Sequence, residues 1–348
     1  MVIPLNPTRS IISAPPADEA SQAAESEDAL GEGADPAEAG ESRAIAVPAD
    51  WHGARVDRAL AALVPEFSRS YLRQLIESQA LCVDGARVTK PAARVRAGQL
   101  LAIELRPTPM SQAFVPQAMA LATVHEDAHL RVIDKPAGLV VHPAPGHWSG
   151  TLLNGLLALD AKAALLPRAG IVHRLDKDTS GLLVVARTRA AMDGLAAQIA
   201  ARQVRREYLA LAHRRWQGAP VREIDAPIGR DPRNRLRMAV VDRDRHPGKP
   251  AQTRCEWLQD ALEGCLVRCL LGTGRTHQIR VHLAHIGHPL VGDALYGGAP
   301  AGGMTRQALH ARRLAFTHPV TGAAMDFTAA LPADLAAALI ALGLTIPA

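Results

Sequence analysis

Residues 173–178 read His-Arg-Leu-Asp-Lys-Asp, two carboxylates crowded among three side chains able to carry positive charge. A short apolar entry, Ile171 and Val172, leads into them, and a strongly apolar run, residues 182–186, follows. A polar loop fixed at both ends by buried chain is a good place for catalytic groups. Asp176 lies mid-loop, where a neighbouring guanidinium can keep it ionised even when it is partly desolvated. A surface ion-pair loop has the same composition, so residue types alone leave both readings open.

Two other chemistries fit less well. His-Arg-Leu-Asp resembles part of a kinase catalytic loop, but the downstream Asn, the Gly-rich phosphate loop and the Asp-Phe-Gly segment are missing. A glycosidase pair of Asp176 and Asp178 is disfavoured because residues two apart in a loop do not reliably straddle a sugar. A second dense segment, residues 272–298, holds Arg275 and Arg280 with His277, His282, His285 and His288, then a Gly/Pro-rich turn leading to Asp293 and Tyr296. His282 and His285 are spaced to share a helical face, yet no acidic or Cys ligand set accompanies them, so no metal is expected. Gly-Thr-Gly-Arg-Thr lacks the Lys-Ser/Thr of a P-loop, and no nucleotide cofactor is expected either.

These segments need elements to position them. Residues 1–42 are rich in Ala, Glu, Ser, Pro and Gly and are expected to be a disordered acidic tail. Residues 51–105 form a compact module. A helix near 56–63 precedes a second one capped by Ser68, with Tyr71, Leu72, Leu75 and Ile76 at helical spacing. A hairpin turning at Asp84-Gly85 follows, then a strand with Leu101, Ile103 and Leu105 inward. Residues 106–120, with three prolines, are expected to be a linker. In residues 121–348, strands are expected at 130–133, 139–141, 182–186, 208–212 and 266–271, with helices at 151–159 and 190–202. Irregular alternation of strands and helices favours an α+β fold with a mixed sheet.

The formal net charge of +5 is diluted by the first 42 residues, which hold nine acidic residues against Arg9; without them 38 Lys/Arg face 25 Asp/Glu. That balance favours a polyanionic partner such as nucleic acid, although an Arg-rich composition alone is weak support. No apolar run is long enough for a membrane span, no signal peptide is evident, and four scattered cysteines make neither a disulfide framework nor a zinc ribbon. A cytoplasmic protein is expected.

Residues 55–105, beginning Arg-Val-Asp-Arg-Ala-Leu, resemble the small RNA-binding domain named after ribosomal protein S-four. The resemblance implies that Arg55, Arg58, Arg69, Arg73 and Lys90 lie near an RNA backbone, where phosphate contacts add salt-dependent affinity. The stretches 134–143, 170–188, 206–213, 224–240 and 274–298 resemble, in order, the RluA-type family of pseudouridine synthases, in the branch that carries such a module and acts on large-subunit ribosomal RNA.

The family resemblance implies a mixed, mainly antiparallel catalytic sheet and a cofactor-free isomerisation. A uridine's glycosidic bond is broken, the base turned, and the ribose rejoined to a ring carbon. Asp176 would be the essential carboxylate, acting as nucleophile or as base on the ribose, and Arg280 its ionic partner. Arg174 would steady the space vacated by a flipped uridine, Tyr208 would lie against the flipped base and assist proton removal, and Ile279 would supply an apolar wall. The implied partner is a stem-loop of large-subunit rRNA, free or in a pre-ribosomal particle, met by a monomer. Rivals are a different RNA specificity and a non-catalytic RNA-binding assembly factor.

Overall fold

The computed structural model describes residues 41–106, 113–144, 146–234 and 236–345. Its first unit comprises β1 (Glu41–Ala46), α1 (Val56–Leu63), α2 (Arg69–Glu77), β2 (Leu81–Val83), β3 (Ala86–Arg87) and β4 (Leu100–Leu105), with the sheet ordered β1-β4-β2-β3. The Ser68 hydroxyl accepts the Tyr71 amide, capping α2. Asp84 and Gly85 both take positive φ, as a two-residue hairpin turn requires. Leu60, Leu72, Leu75, Ile76, Leu101 and Ile103 interlock as the core between helices and sheet.

Two boundaries differ from expectation. β1 pairs with β4 from Glu41 onward, so the module begins about ten residues before Trp51 and takes Glu41 and Ser42 from the expected tail. As an edge strand with no fully buried residue, it lacks the apolar alternation that would announce it. The rest of that tail, residues 1–40, and the middle of the linker, residues 107–112, lie outside the described residues. The remainder of the expected linker is docked. Asn154 Nδ2 donates to the Ala113 and Val115 carbonyls at 3.3 and 2.9 Å, and the Gly150 amide donates to Gln117 Oε1 at 2.6 Å.

The second unit runs through β5 (Ala122–Glu126), β6 (Leu130–Lys135), α3 (Leu152–Leu159), β7 (Ser180–Ala186), α4 (Arg189–Ala200), β8 (Arg205–His213), β9 (Val221–Asp225), β10 (Ile228–Arg230), β11 (Met238–Val240), β12 (Gln252–Asp260), β13 (Gly264–Leu271), α5 (Gln278–His285), β14 (Leu309–Thr317), β15 (Ala324–Thr328) and α6 (Ala333–Ala341). Nine strands form one sheet in the order β5-β6-β7-β14-β8-β13-β12-β9, with β15 added to β14. Every pairing is antiparallel except β7 with β14. The fold is α+β, as expected.

β7 is buried throughout because both sheet faces are covered. Leu183 and Val185 pack into the cluster that contains α3 and α5, whereas Leu182, Val184 and Ala186 pack with Ala191 and Leu195 of α4. At Gly181, φ is +111° and a Cβ would stand 2.3 Å from the Ala311 carbonyl oxygen, so only glycine lets β7 and β14 approach here. The strand expected at 139–141 does not form. The Val140 and Val141 carbonyls accept the Leu152 and Leu153 amides at the start of α3, and Lys135 takes the Leu139 carbonyl. The polar acceptors of that segment are spent on a helix N-terminus and a buried cation rather than on a ladder.

Candidate active site

Asp176 sits in the loop that enters β7, and three contacts hold that loop. Lys135, at the end of β6 and wholly buried, donates its ammonium to the carbonyls of Pro136, Leu139 and Lys177 at 2.8 to 2.9 Å. The Gly138 amide also reaches the Lys177 carbonyl, and Arg306 Nη1 donates to the Asp178 carbonyl at 2.8 Å. Burial pushes the Lys135 ammonium down to about 8, a fall limited by the nearby charges of Asp178 and Asp176. The loop is thereby fixed through its backbone, which leaves the Asp176 carboxylate free to point outward, 18 % exposed.

Arg280, on the first turn of α5, meets that carboxylate, its Nη1 lying 3.3 Å from Asp176 Oδ2. The rest of its fork is held by Asp293, with Nε and Nη2 donating to the two carboxylate oxygens at 2.7 and 2.8 Å. Asp293 is 2 % exposed and receives no solvent screening of consequence. Burial would lower the Arg280 pKa, but the Asp293 hydrogen bonds and the charges of Asp176 and Asp293 outweigh it and raise it above the ordinary value. A permanently charged, rigidly aimed guanidinium therefore stands beside Asp176. Tyr296 covers it, its ring centroid 5.0 Å from the Arg280 Cζ.

Tyr296 also orders His277. Its hydroxyl accepts the Met238 amide at 3.0 Å and lies 2.9 Å from His277 Nδ1. His277 adopts a left-handed backbone at the N-cap of α5, a conformation uncommon outside glycine.

A cleft of about 670 Å³ brings together Arg174, Asp176, Tyr208, Ile279 and Arg280, residues spread over more than a hundred positions. Its wall also carries Arg168, Arg202, Arg206 and Arg275, and Asp176 is the one carboxylate among the described lining residues. Such a basic cleft suits a polyanion, with a single anionic group placed where chemistry is needed. Tyr208 lies in β8 and is 5 % exposed; burial pushes its phenol up to about 12, so it keeps its proton at neutral pH. Arg174 is exposed and makes no side-chain hydrogen bond or ion pair among the described residues.

The family model described as RNA pseudouridylate synthase matches residues 129–285, and the S4 domain model matches residues 54–101. Ribosomal large subunit pseudouridine synthase D of Nitrosomonas europaea is 47% identical over 306 residues, spanning 86% of this chain and 87% of that protein. The protein of the same name from Pseudomonas aeruginosa is 47% identical over 305 residues, spanning 84% of this chain and 93% of its own. The chain belongs to the RNA pseudouridylate synthase family. Among solved structures, human RNA pseudouridylate synthase domain containing 4 matches with a TM-score of 0.52 at 25% identity, covering 65% of this chain and 95% of its own. The chain is thus an RNA pseudouridine synthase, an isomerase, joined to an RNA-binding domain.

The histidines of the second dense segment have separate employments in this synthase. His282 uses both ring nitrogens, on Thr253 Oγ1 at 2.8 Å and the Ala226 carbonyl at 3.0 Å. His288 stacks on Trp216 with ring centroids 4.9 Å apart, its Nδ1 3.1 Å from the His213 carbonyl. Among the described residues no helix is long and apolar enough to cross a membrane.

In the RNA-binding module the five expected cations divide. Arg55 and Arg69 converge on Asp57, which is 2 % exposed, Arg69 Nη2 donating at 2.7 Å. Arg73 pairs with Glu77 at 2.8 Å along α2. Arg58 and Lys90 are exposed and make no side-chain hydrogen bond or ion pair among the described residues. Sequence reasoning gave no role to Asp57, Lys135, Arg206 or Asp293. For Asp57, Lys135 and Asp293 the available signal is residue type, since a buried charge is usually kept with something paired to it.

Proposed function

We propose that the protein isomerises specific uridines of large-subunit ribosomal RNA to pseudouridine, with Asp176 as the catalytic carboxylate. The observation that carries this reading is the Asp176–Arg280–Asp293 chain of charges at the floor of an arginine-walled cleft. The Asp176 carboxylate acts on the ribose, as nucleophile or as base toward a sugar proton, and either role uses its free oxygen lone pairs. Arg280 lies against it and aims it. Tyr208, protonated at neutral pH, offers a ring face to the base rather than a ready proton acceptor. Arg174, unpaired at the cleft, supports the space the uridine leaves in the RNA, and Ile279, 3 % exposed, forms the apolar wall.

The rRNA assignment draws on the names of the proteins this chain resembles most of the way along its length. A stem-loop suits the cleft because its unpaired bases are splayed out at low cost. Arg58 and Lys90 add phosphate contacts from the module, and Arg55, Arg69 and Arg73 contribute the long-range field. A cytoplasmic monomer acting on free rRNA or a pre-ribosomal particle completes the reading.

The test is Asp176→Asn. Pseudouridine in large-subunit rRNA disappears from cells carrying only the variant, while the purified variant binds a stem-loop RNA within about threefold of the parent. Unchanged large-subunit pseudouridine, or loss confined to tRNA, overturns the proposal.

A further inference from the structure

Arg206 precedes Tyr208 by two residues in β8 and is 6 % exposed, yet its side chain has no hydrogen-bond or ion-pair partner among the described residues. Its Nε is sealed from solvent without an acceptor. The other two arginines buried to this degree are satisfied. Arg131 donates twice to Glu126, at 3.0 and 2.8 Å, and Arg280 donates twice to Asp293. A buried guanidinium without a counter-charge is costly, because it loses hydration and gains nothing in return. Among the described residues, Arg206 is the one of these three arginines left so, and it lines the catalytic cleft.

The guanidinium stands where two clefts meet. Arg206 lines the catalytic cleft and also a second one, of about 540 Å³, which shares Arg202, Leu271 and Gly272 with the first. The loop opposite is bare at this point, since a Cβ on Gly274 would stand 2.8 Å from Arg206 Nη1. The acids of the second cleft are engaged elsewhere. Glu223 accepts from Arg254 Nη1 at 3.3 Å, and Asp225 accepts from Gln252 Nε2 at 2.9 Å. Among the described residues no carboxylate comes within ion-pair distance of Arg206.

We infer that Arg206 binds an RNA phosphodiester adjacent to the uridine being isomerised, and that the second cleft receives the neighbouring nucleotide. This rests on RNA being the substrate. A phosphodiester is favoured over a hydroxyl or base carbonyl because the missing partner must carry charge. The planar fork also matches two non-bridging oxygens. Placed at the junction, the contact fixes the strand on one side of the extruded nucleotide, so that register is set before the base turns.

The experiment uses stem-loop RNAs bearing one methylphosphonate at each phosphate flanking the target uridine, with the full-length protein and Arg206→Met. At one position the neutral linkage weakens binding by the parent about tenfold, the scale of a lost charged hydrogen bond, and leaves Arg206→Met unaffected. Arg206→Met binds unmodified RNA about tenfold more weakly, with a log–log salt slope shallower by about 0.7, and is more resistant to urea than the parent. Equal sensitivity of both proteins at every phosphate overturns the inference. So does a variant less stable than the parent with unchanged affinity, which would make Arg206 a structural residue. Failure of the parent to form pseudouridine in the unmodified stem-loop would instead overturn the substrate reading itself.

Discussion

Replacing Asp293 by Asn removes one charge and little volume from beneath Arg280. In the parent the carboxylate accepts two hydrogen bonds, at 2.7 and 2.8 Å, inside a site almost closed to water. Deleting one partner of a buried ion pair costs about 3–5 kcal/mol when the other is left uncompensated. Arg280 keeps Asp176 at 3.3 Å, and the Asn carbonyl can accept one of the two bonds, so the expected loss is nearer about 2–3 kcal/mol. The effect on chemistry is separable. With its fork no longer clamped, Arg280 shifts toward Asp176, and misplacement on the order of 1 Å near a reacting group costs roughly a hundredfold in rate. The assay is tritium release from RNA labelled at uracil C5, beside urea unfolding of the same preparations. We expect kcat lower by about 10- to 100-fold, KM for RNA within about twofold, and a lower urea midpoint. A variant that loses stability but keeps its kcat refutes the reasoning, because Asp293 would then hold the fold and not the aim of Arg280.

Two further outcomes follow from buried and free charges. His310 is 1 % exposed, and burial, aided by Arg312 and Arg306, pushes its pKa down to about 4 from the usual 6.5. Below pH 6.5 the unfolded chain binds a proton that the folded one refuses, so its stabilising contribution is lost as pH falls toward 4, at about 1.4 kcal/mol per pH unit. Urea unfolding at pH 6.5 and 5 should show a shallower loss for His310→Asn than for the parent, and equal losses would contradict it. In the module, Arg58→Gln with Lys90→Gln should reduce the salt slope of stem-loop binding by about 1.4 without changing the urea midpoint. Loss of stability in that double variant would show that these side chains have partners.

The parts of the fold visible in the sequence are those where a local pattern repeats. Ser68 and the spacing of Leu72, Leu75 and Ile76 specify α2, and the helix expected at 151–159 forms as α3, with Thr151 as its cap rather than its first residue. The run at 182–186 becomes the central strand β7. What escaped depends on distant partners. β1 is an edge strand that shows its sheet only half-buried residues, and the apolar stretch at 139–141 is withheld from a ladder by amides of α3 and the Lys135 ammonium. In the site, Asp176 was visible as a carboxylate in a crowded loop, but its partner Arg280 is 104 positions away and was reached only through family resemblance. Asp293 sits in a Gly/Pro-rich turn, where nothing in its neighbours reveals that α5 turns Arg280 onto it.

The sequence reports how many cations the chain carries, and the structure decides which of them are available. Arg55 and Arg69 are committed to Asp57, Arg131 to Glu126, and Arg280 to Asp293, each within hydrogen-bond distance. Once such pairs are subtracted, the cations left for RNA include several with definite places. Arg58 and Lys90 stand exposed on the module, Arg174 stands at the catalytic loop, and Arg206 lies buried where the two clefts join. Exposed members can attract any polyanion and release it readily, since water competes for them at every moment. A buried member gains only from an anion delivered at one place and in one orientation. The exposed cations therefore set how fast and how strongly RNA is gathered, and Arg206 sets which phosphate must be seated before Asp176 meets a ribose.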